Sequence, residues 1–274
     1  MTADPSRLRE PFMKTMSPRT AAAARATALC LALAVPACSG TGRSGADLAA
    51  NPDALELRLA DATMSAGSPA TALRILDDDL RRHPHDAPAL LRRGRAEAAL
   101  GQSADAAQSF ASALAVTPRS LEALTGLARA RAAGGDAVGS EAAWRQAAAL
   151  APDDAQVETG LAIALDLQER HSEAQALYHA VLARVPDDAV ARCDLGFSLA
   201  LSGHAAEGLP LLQQAAQGGI GGNPAMTVRA RHNLAVGLMM AGDEGQARRV
   251  LSQDLAPADV DTAVAGLRQF AAAQ

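Results

Sequence analysis

Four prolines, Pro84, Pro118, Pro152 and Pro186, recur at one unvarying interval. A fixed period of that length makes the chain a stack of like units, each too small to bury its own apolar face. The residues around the prolines keep the same phase. Two positions after each come Asp86, Ser120, Asp154 and Asp188, side chains that accept a hydrogen bond from the free N–H groups of a starting helix. The residue before a proline is pushed out of helical geometry, so each proline closes one helix and each acid or hydroxyl opens the next. Gly94, Ala128, Ala162 and Gly196 follow the prolines by ten residues, and Ala106, Ser140 and Ala174 precede three of them by twelve. Small side chains at both places predict two antiparallel helices in close approach. Eight residues before each proline the side chain is large: Leu76, Phe110, Trp144 and Tyr178. This slot is expected to fill the gap between neighbouring helix pairs. Gly67, Gly101, Gly135 and Gly203 mark the turn inside a pair.

A 34-residue helix–turn–helix unit with these small, large and proline positions resembles the tetratricopeptide repeat (TPR). Six units are read, at about 53–86, 87–120, 121–154, 155–188, 189–222 and 226–257. In the fifth, Ile220 replaces the closing proline, and Gly218 to Pro224 adds a loop. The sixth regains the phase through Leu234, Ala235, Leu238, Gly242, Ala247 and Leu251, with a second helix cut short near Pro257. Residues 258–271 read as one more helix, and 258–274 as a capping helix and tail. The expected fold is an all-α TPR solenoid over 53–257 with a C-terminal cap.

Ahead of the array, Lys14, Arg19 and Arg25 lead into an apolar run from Ala26 to Ala37. Twelve residues are too few for a membrane-spanning helix, which takes roughly 20, so 1–37 reads as a secretory signal. Val35-Pro36-Ala37-Cys38 resembles the bacterial lipobox, with Pro36 where a small side chain is usual. That resemblance implies cleavage before Cys38 and lipidation of its sulfur. An ordinary signal with an incidental cysteine is the other reading. The leader is long, which leaves Met13 and Met16 open beside Met1 as the start. Residues 38–52 read as a flexible linker, and Ser39 after the cysteine implies, by the same likeness, the outer membrane.

Charge narrows the partner. The chain carries −5 formally; residues 1–37 hold five basic and two acidic side chains, so the remainder has 20 basic against 28 acidic, a net of −8. An acidic surface argues against nucleic acid. Chemistry is sparse. His83 and His85 flank Pro84, but basic residues at a helix end also satisfy its carbonyls. Asp77-Asp78-Asp79 reads as a solvated charge run. The glycines from 218 to 222 are not followed by the Gly-Lys-Ser/Thr of a phosphate loop. Cys193 reads as a small packed side chain. Neither a catalytic group nor a cofactor or metal site is expected.

Binding is the remaining function. The TPR resemblance implies a concave side lined by the first helix of each unit. Projected onto it are Asp61, Met64, Arg95, Arg129 and Ala132, then Ile163, Leu167, Val190, Phe197, Leu201, Val236, Met239 and Met240. The groove is expected to turn from polar and basic to apolar along its length, and the second group is the predicted partner-binding stripe. Packing under the next unit is the competing reading for each residue. The dicarboxylate clamp of chaperone-binding TPR domains needs Lys and Asn at groove positions where this chain lacks them. The closing segment, Arg231 to Gly242 and Gln246 to Leu255, resembles the TPR lipoprotein of the tight-adherence pilus system. That likeness implies a lipid-anchored, non-enzymatic scaffold in the periplasm for a pilus or secretin component. An envelope adaptor for cell-wall or outer-membrane assembly machinery is the alternative. Oligomeric state is not legible in the sequence.

Overall fold

A computed structural model describes residues 52–218 and 224–272. The leader, Cys38 and the linker up to residue 51 lie outside the described residues, as does the loop at 219–223 with Ile220. The described residues form thirteen helices and no strand. They pair as α1 (Pro52–Ser65) with α2 (Pro69–Arg82), α3 (Ala87–Ala99) with α4 (Ser103–Val116), and α5 (Leu121–Ala133) with α6 (Ala137–Leu150). The series continues with α7 (Ala155–Asp166) and α8 (His171–Arg184), α9 (Ala189–Leu201) and α10 (Ala205–Gly218), then α11 (Pro224–Met240) and α12 (Glu244–Leu251). The last helix, α13 (Pro257–Ala271), packs on α11 and α12 as the cap. None of the described helices is long and apolar enough to cross a membrane.

The boundaries follow from the periodic residues. His83, Thr117, Ala151 and Val185, each just before a proline, leave helical geometry with φ of −128°, −128°, −140° and −129°, the extended backbone that a following proline imposes. Asp86, Ser120, Asp154 and Asp188 then cap α3, α5, α7 and α9, their side chains accepting from backbone amides one turn in. Inside the pairs, Gly67, Gly101, Gly135, Gly203 and Gly242 all hold φ between +72° and +86°. Glu169 occupies the same place in the fourth unit at φ +62°, a left-handed conformation that a β-carbon makes costly.

Packing is also periodic. Leu76, Phe110, Trp144 and Tyr178 are all buried, and Leu212, one repeat beyond Tyr178, continues the slot fully buried. A β-carbon built at Gly94 or Gly126 would stand 2.9 or 2.5 Å from the Phe110 ring, and one at Gly160 would stand 2.3 Å from Trp144. Each ring thus lies against the first helix of the following unit, as the sequence led one to expect. In unit five the paired helices meet backbone to backbone, where a β-carbon on Gly208 would stand 2.3 Å from the Gly196 carbonyl oxygen. The resulting core is a chain of overlapping clusters, each shared between neighbouring units.

One sequence expectation changes here. Asp79 is fully buried rather than solvated; only Asp77 and Asp78 are at the surface. Burial, aided by Asp86 and Glu56, pushes its carboxyl above the usual range against the opposing pull of Arg82. Pro210 lies inside α10 without ending it.

Candidate functional site

First helices of successive units touch one another, α1 with α3, α3 with α5, α5 with α7, α7 with α9 and α9 with α11, whereas among the described residues no such layer joins the second helices. The side on which neighbouring units come together is the inner side of a curved stack. Its residues keep the repeat phase. One row reads Asp61, Arg95, Arg129, Ile163, Phe197, and the row a turn later reads Ser65, Ala99, Ala133, Leu167, Leu201.

At the polar end, Arg92 grips Asp61 of the preceding unit with both ends of its fork, Nε to Oδ1 at 2.9 Å and Nη2 to Oδ2 at 3.0 Å. Beside this pair lies a shallow depression of about 350 Å³ lined by Asp61, Met64, Ser65, Arg92 and Arg95. Arg95 reaches Glu122 at the start of α5, both side chains being about half exposed. Arg129 is exposed and lies 5.7 Å from the centroid of the buried Trp144 ring, a cation–π arrangement that steadies the guanidinium without neutralising it. Alanines floor this stretch, with Ala98, Ala99 and Ala133 exposed and Ala132 half-buried.

At the other end the structure divides the predicted stripe. Ile163, Leu167, Val190, Phe197, Leu201 and Met240 are half-buried and keep part of their surface open. Val236 and Met239 are each only 8% exposed and belong to the core where α9, α10, α11, α12 and α13 meet. Their phase is that of groove residues, but the short α12 and the cap bring more apolar surface around α11 than an ordinary unit would. Phe197 and Leu201 also rest on this core, whereas Ile163 rests on the cluster of units four and five.

Sequence reading missed the polar groups that tie units three to six to one another. Asp166 accepts from the Ser198 hydroxyl at 2.7 Å and the Tyr178 hydroxyl at 3.0 Å, and its carboxylate lies 2.8 Å from His171 Nδ1. Glu141 accepts from Gln168 at 2.7 Å and from Arg170 at 2.8 Å. Burial pushes its carboxyl up, but those hydrogen bonds and the charge of Arg145 outweigh it and hold it below the usual range. Asp194 is buried, with one oxygen 2.5 Å from Arg229 Nη2 and the other without a hydrogen-bond partner. Burial pushes this carboxyl up to about 6 despite Arg229. A signal for Asp194 exists in the repeat, since Gly126 and Gly160 occupy its phase; the Asp166 contacts carry no such signal, because they join positions at separations unrelated to the period.

Cys193 is buried in the last cluster, accepts from Asn233 at 3.6 Å, and has its thiol pushed up to about 11 by burial. His83 and His85 line an open hollow with Pro84 and Asp86, and among the described residues no three His, Cys, Asp or Glu side chains group as metal ligands.

The fold and its inner groove are those of a tetratricopeptide-repeat solenoid. Solved structures with this architecture include a TPR protein from Parabacteroides merdae, with TM-score 0.67, 14% identity, and 81% of this chain and 89% of that chain covered. PilW, a widely conserved type IV pilus biogenesis factor, aligns with TM-score 0.61 and 20% identity over 74% of this chain and 94% of its own. YrrB, a TPR protein with an unusual peptide-binding site, aligns with TM-score 0.52 and 17% identity over 68% and 96%. At these identities the likeness is one of fold. No protein-family model and no curated protein matches the sequence.

Proposed function

We propose that the chain is a non-enzymatic scaffold whose inner groove holds a segment of a protein partner during assembly of a bacterial surface pilus or secretion machine. The observation that carries this reading is the open, graded groove: exposed arginines over alanine in units two and three, then half-exposed apolar side chains in units four and five. An apolar groove built on helices takes an amphipathic or extended segment. The architectural likeness to a pilus biogenesis factor and to a peptide-binding TPR protein supports this choice among scaffold roles.

In this reading Cys38 carries the lipid and keeps the array at the envelope, facing the periplasm at the outer membrane. Tethering raises the local concentration of groove and partner, so a weak groove suffices. The test is crosslinking in the native envelope with tagged full-length protein, compared with Cys38→Ala and Leu167→Gln. Capture of a secretin or another pilus component, lost in both variants, is the expected result. Capture of cell-wall enzymes or outer-membrane assembly factors instead would make the protein an envelope adaptor. Capture unchanged by Leu167→Gln would place the binding surface elsewhere.

A further inference from the structure

The two ends of the groove differ in chemistry, and that difference specifies what the groove selects. Resting on the groove reading above, we propose that the partner segment is acidic–apolar: two or more Asp or Glu side chains lie over Arg95 and Arg129, followed by large apolar side chains over Ile163, Leu167, Phe197 and Leu201.

Three observations carry this. First, Arg95, Arg129, Ile163 and Phe197 are successive members of one row, each a single repeat from the next, so a segment crossing units two to five meets two cations and then two large apolar groups in order. Second, Arg129 has a steady place on the Trp144 ring, 5.7 Å from its centroid. A guanidinium so held keeps its fork of donors for a carboxylate and loses little freedom on binding one. Arg95 is paired with Glu122, but both are half exposed, and an exposed pair of this kind is weak enough for an incoming carboxylate to exchange with Glu122. Third, exposed Ala98, Ala99 and Ala133 leave the floor between the arginines low and accessible.

Acidic side chains fit better than a single chain terminus. Arg129 is held over the Trp144 ring and Arg95 beside Glu122, so the two guanidiniums offer separate stations, and two carboxylates use both. The order also fixes direction, with the acidic part of the segment toward α1 and the apolar part toward α11. This surface lies within an acidic protein, net −8 after residue 37, so the local cations also act against purely apolar competitors by rewarding only segments that bring opposite charge.

The experiment is selection of random 16-residue peptides displayed on phage against full-length protein in detergent, repeated on three variants. Against the unaltered protein, the expected winners carry an Asp/Glu cluster beside a large apolar cluster. On Arg95→Glu/Arg129→Glu the acidic cluster should be replaced by a Lys/Arg cluster with the apolar part kept. On Leu167→Gln/Ile163→Ser the apolar part should be lost. For one selected peptide, titration should show affinity falling roughly twofold to thirtyfold in Arg95→Ala/Arg129→Ala, the sum expected for two exposed ion pairs, while Arg95→Lys/Arg129→Lys retains part of it. Arg95 and Arg129 are exposed, so unchanged helical circular dichroism and melting should accompany their replacement. Winners that are apolar without acidic residues, or unaffected by charge reversal, overturn the acidic–apolar assignment and leave the groove reading standing. Winners indifferent to Leu167→Gln/Ile163→Ser, or no winners at all, overturn both.

Discussion

Glu169 holds φ +62° where units one, two, three and five place glycine. Left-handed geometry costs a residue with a β-carbon roughly 1–2 kcal/mol, and glycine returns part of that through its freer unfolded chain. Glu169→Gly should therefore stabilise the fold by about 0.5–1 kcal/mol in urea unfolding; a loss of stability would mean that the glutamate side chain contributes more than its backbone costs. Asp194 gives a pH-dependent case. Its ordinary value of 3.8 is raised to about 6 in the folded protein, so between these pH values the native state holds a proton that the unfolded chain has lost. Its contribution accordingly falls as pH rises from about 4 to about 6 and remains a penalty above that, of about 3 kcal/mol at full size. Asp194→Asn should be more stable than the parent at pH 7, with the difference vanishing below pH 4. The half-exposed Arg229 left behind can be hydrated. A difference independent of pH would show that Asp194 keeps an ordinary acidity.

At the scale of elements, how closely two helices can approach depends on single glycines, and the structure separates those that are needed from those that are not. Gly208→Ala places a β-carbon 2.3 Å from the Gly196 carbonyl, backbone against backbone, and should cost about 1–3 kcal/mol in spite of alanine's helix propensity. Gly266, inside α13, has nothing within 4 Å of its would-be β-carbon, so Gly266→Ala should add about 0.5–1 kcal/mol. Thermal melts of the two variants should move in opposite directions. This scale is also where the sequence was most legible. Caps, turns and the large slot were readable from Asp86, Gly101 and Phe110 because each acts on neighbours a fixed number of residues away. The buried state of Asp79 had its signal in the repeat, since the buried Ala113, Ala147 and Val181 hold its phase in later units, but the acidic run around it pointed to solvent. Val236 and Met239 misled for another reason: repeat phase tells which side of a helix a residue takes, but not that a cap and a shortened helix close over that side. The change from polar to apolar along the first-helix row was legible, because Arg95, Arg129, Ile163 and Phe197 share a phase; the stacking of Arg129 on Trp144 was not, because their separation is unrelated to the period.

For the whole molecule, the two ends are unlike. At the C-terminal end α13 inserts Val260, Val264 and Leu267 into the last core cluster. At the other end α1 leaves Leu55 and Leu59 about half exposed, at 53% and 50%. Because each unit packs mainly on its neighbours, damage at an end should stay near that end. A chain ending at Ala256 should lose hydrogen-exchange protection in α11 and α12 while α3 to α6 keep theirs; uniform loss along the array would instead mean a single cooperative block. The same neighbour-only packing has a mechanical meaning. A globule with one central core resists pulling until it fails at once, whereas this stack can surrender a unit and leave the remainder intact. Each lost unit would release one repeat length of chain, roughly 110–120 Å when extended, so an array pulled from its two ends would lengthen in steps and limit the load on whatever it holds.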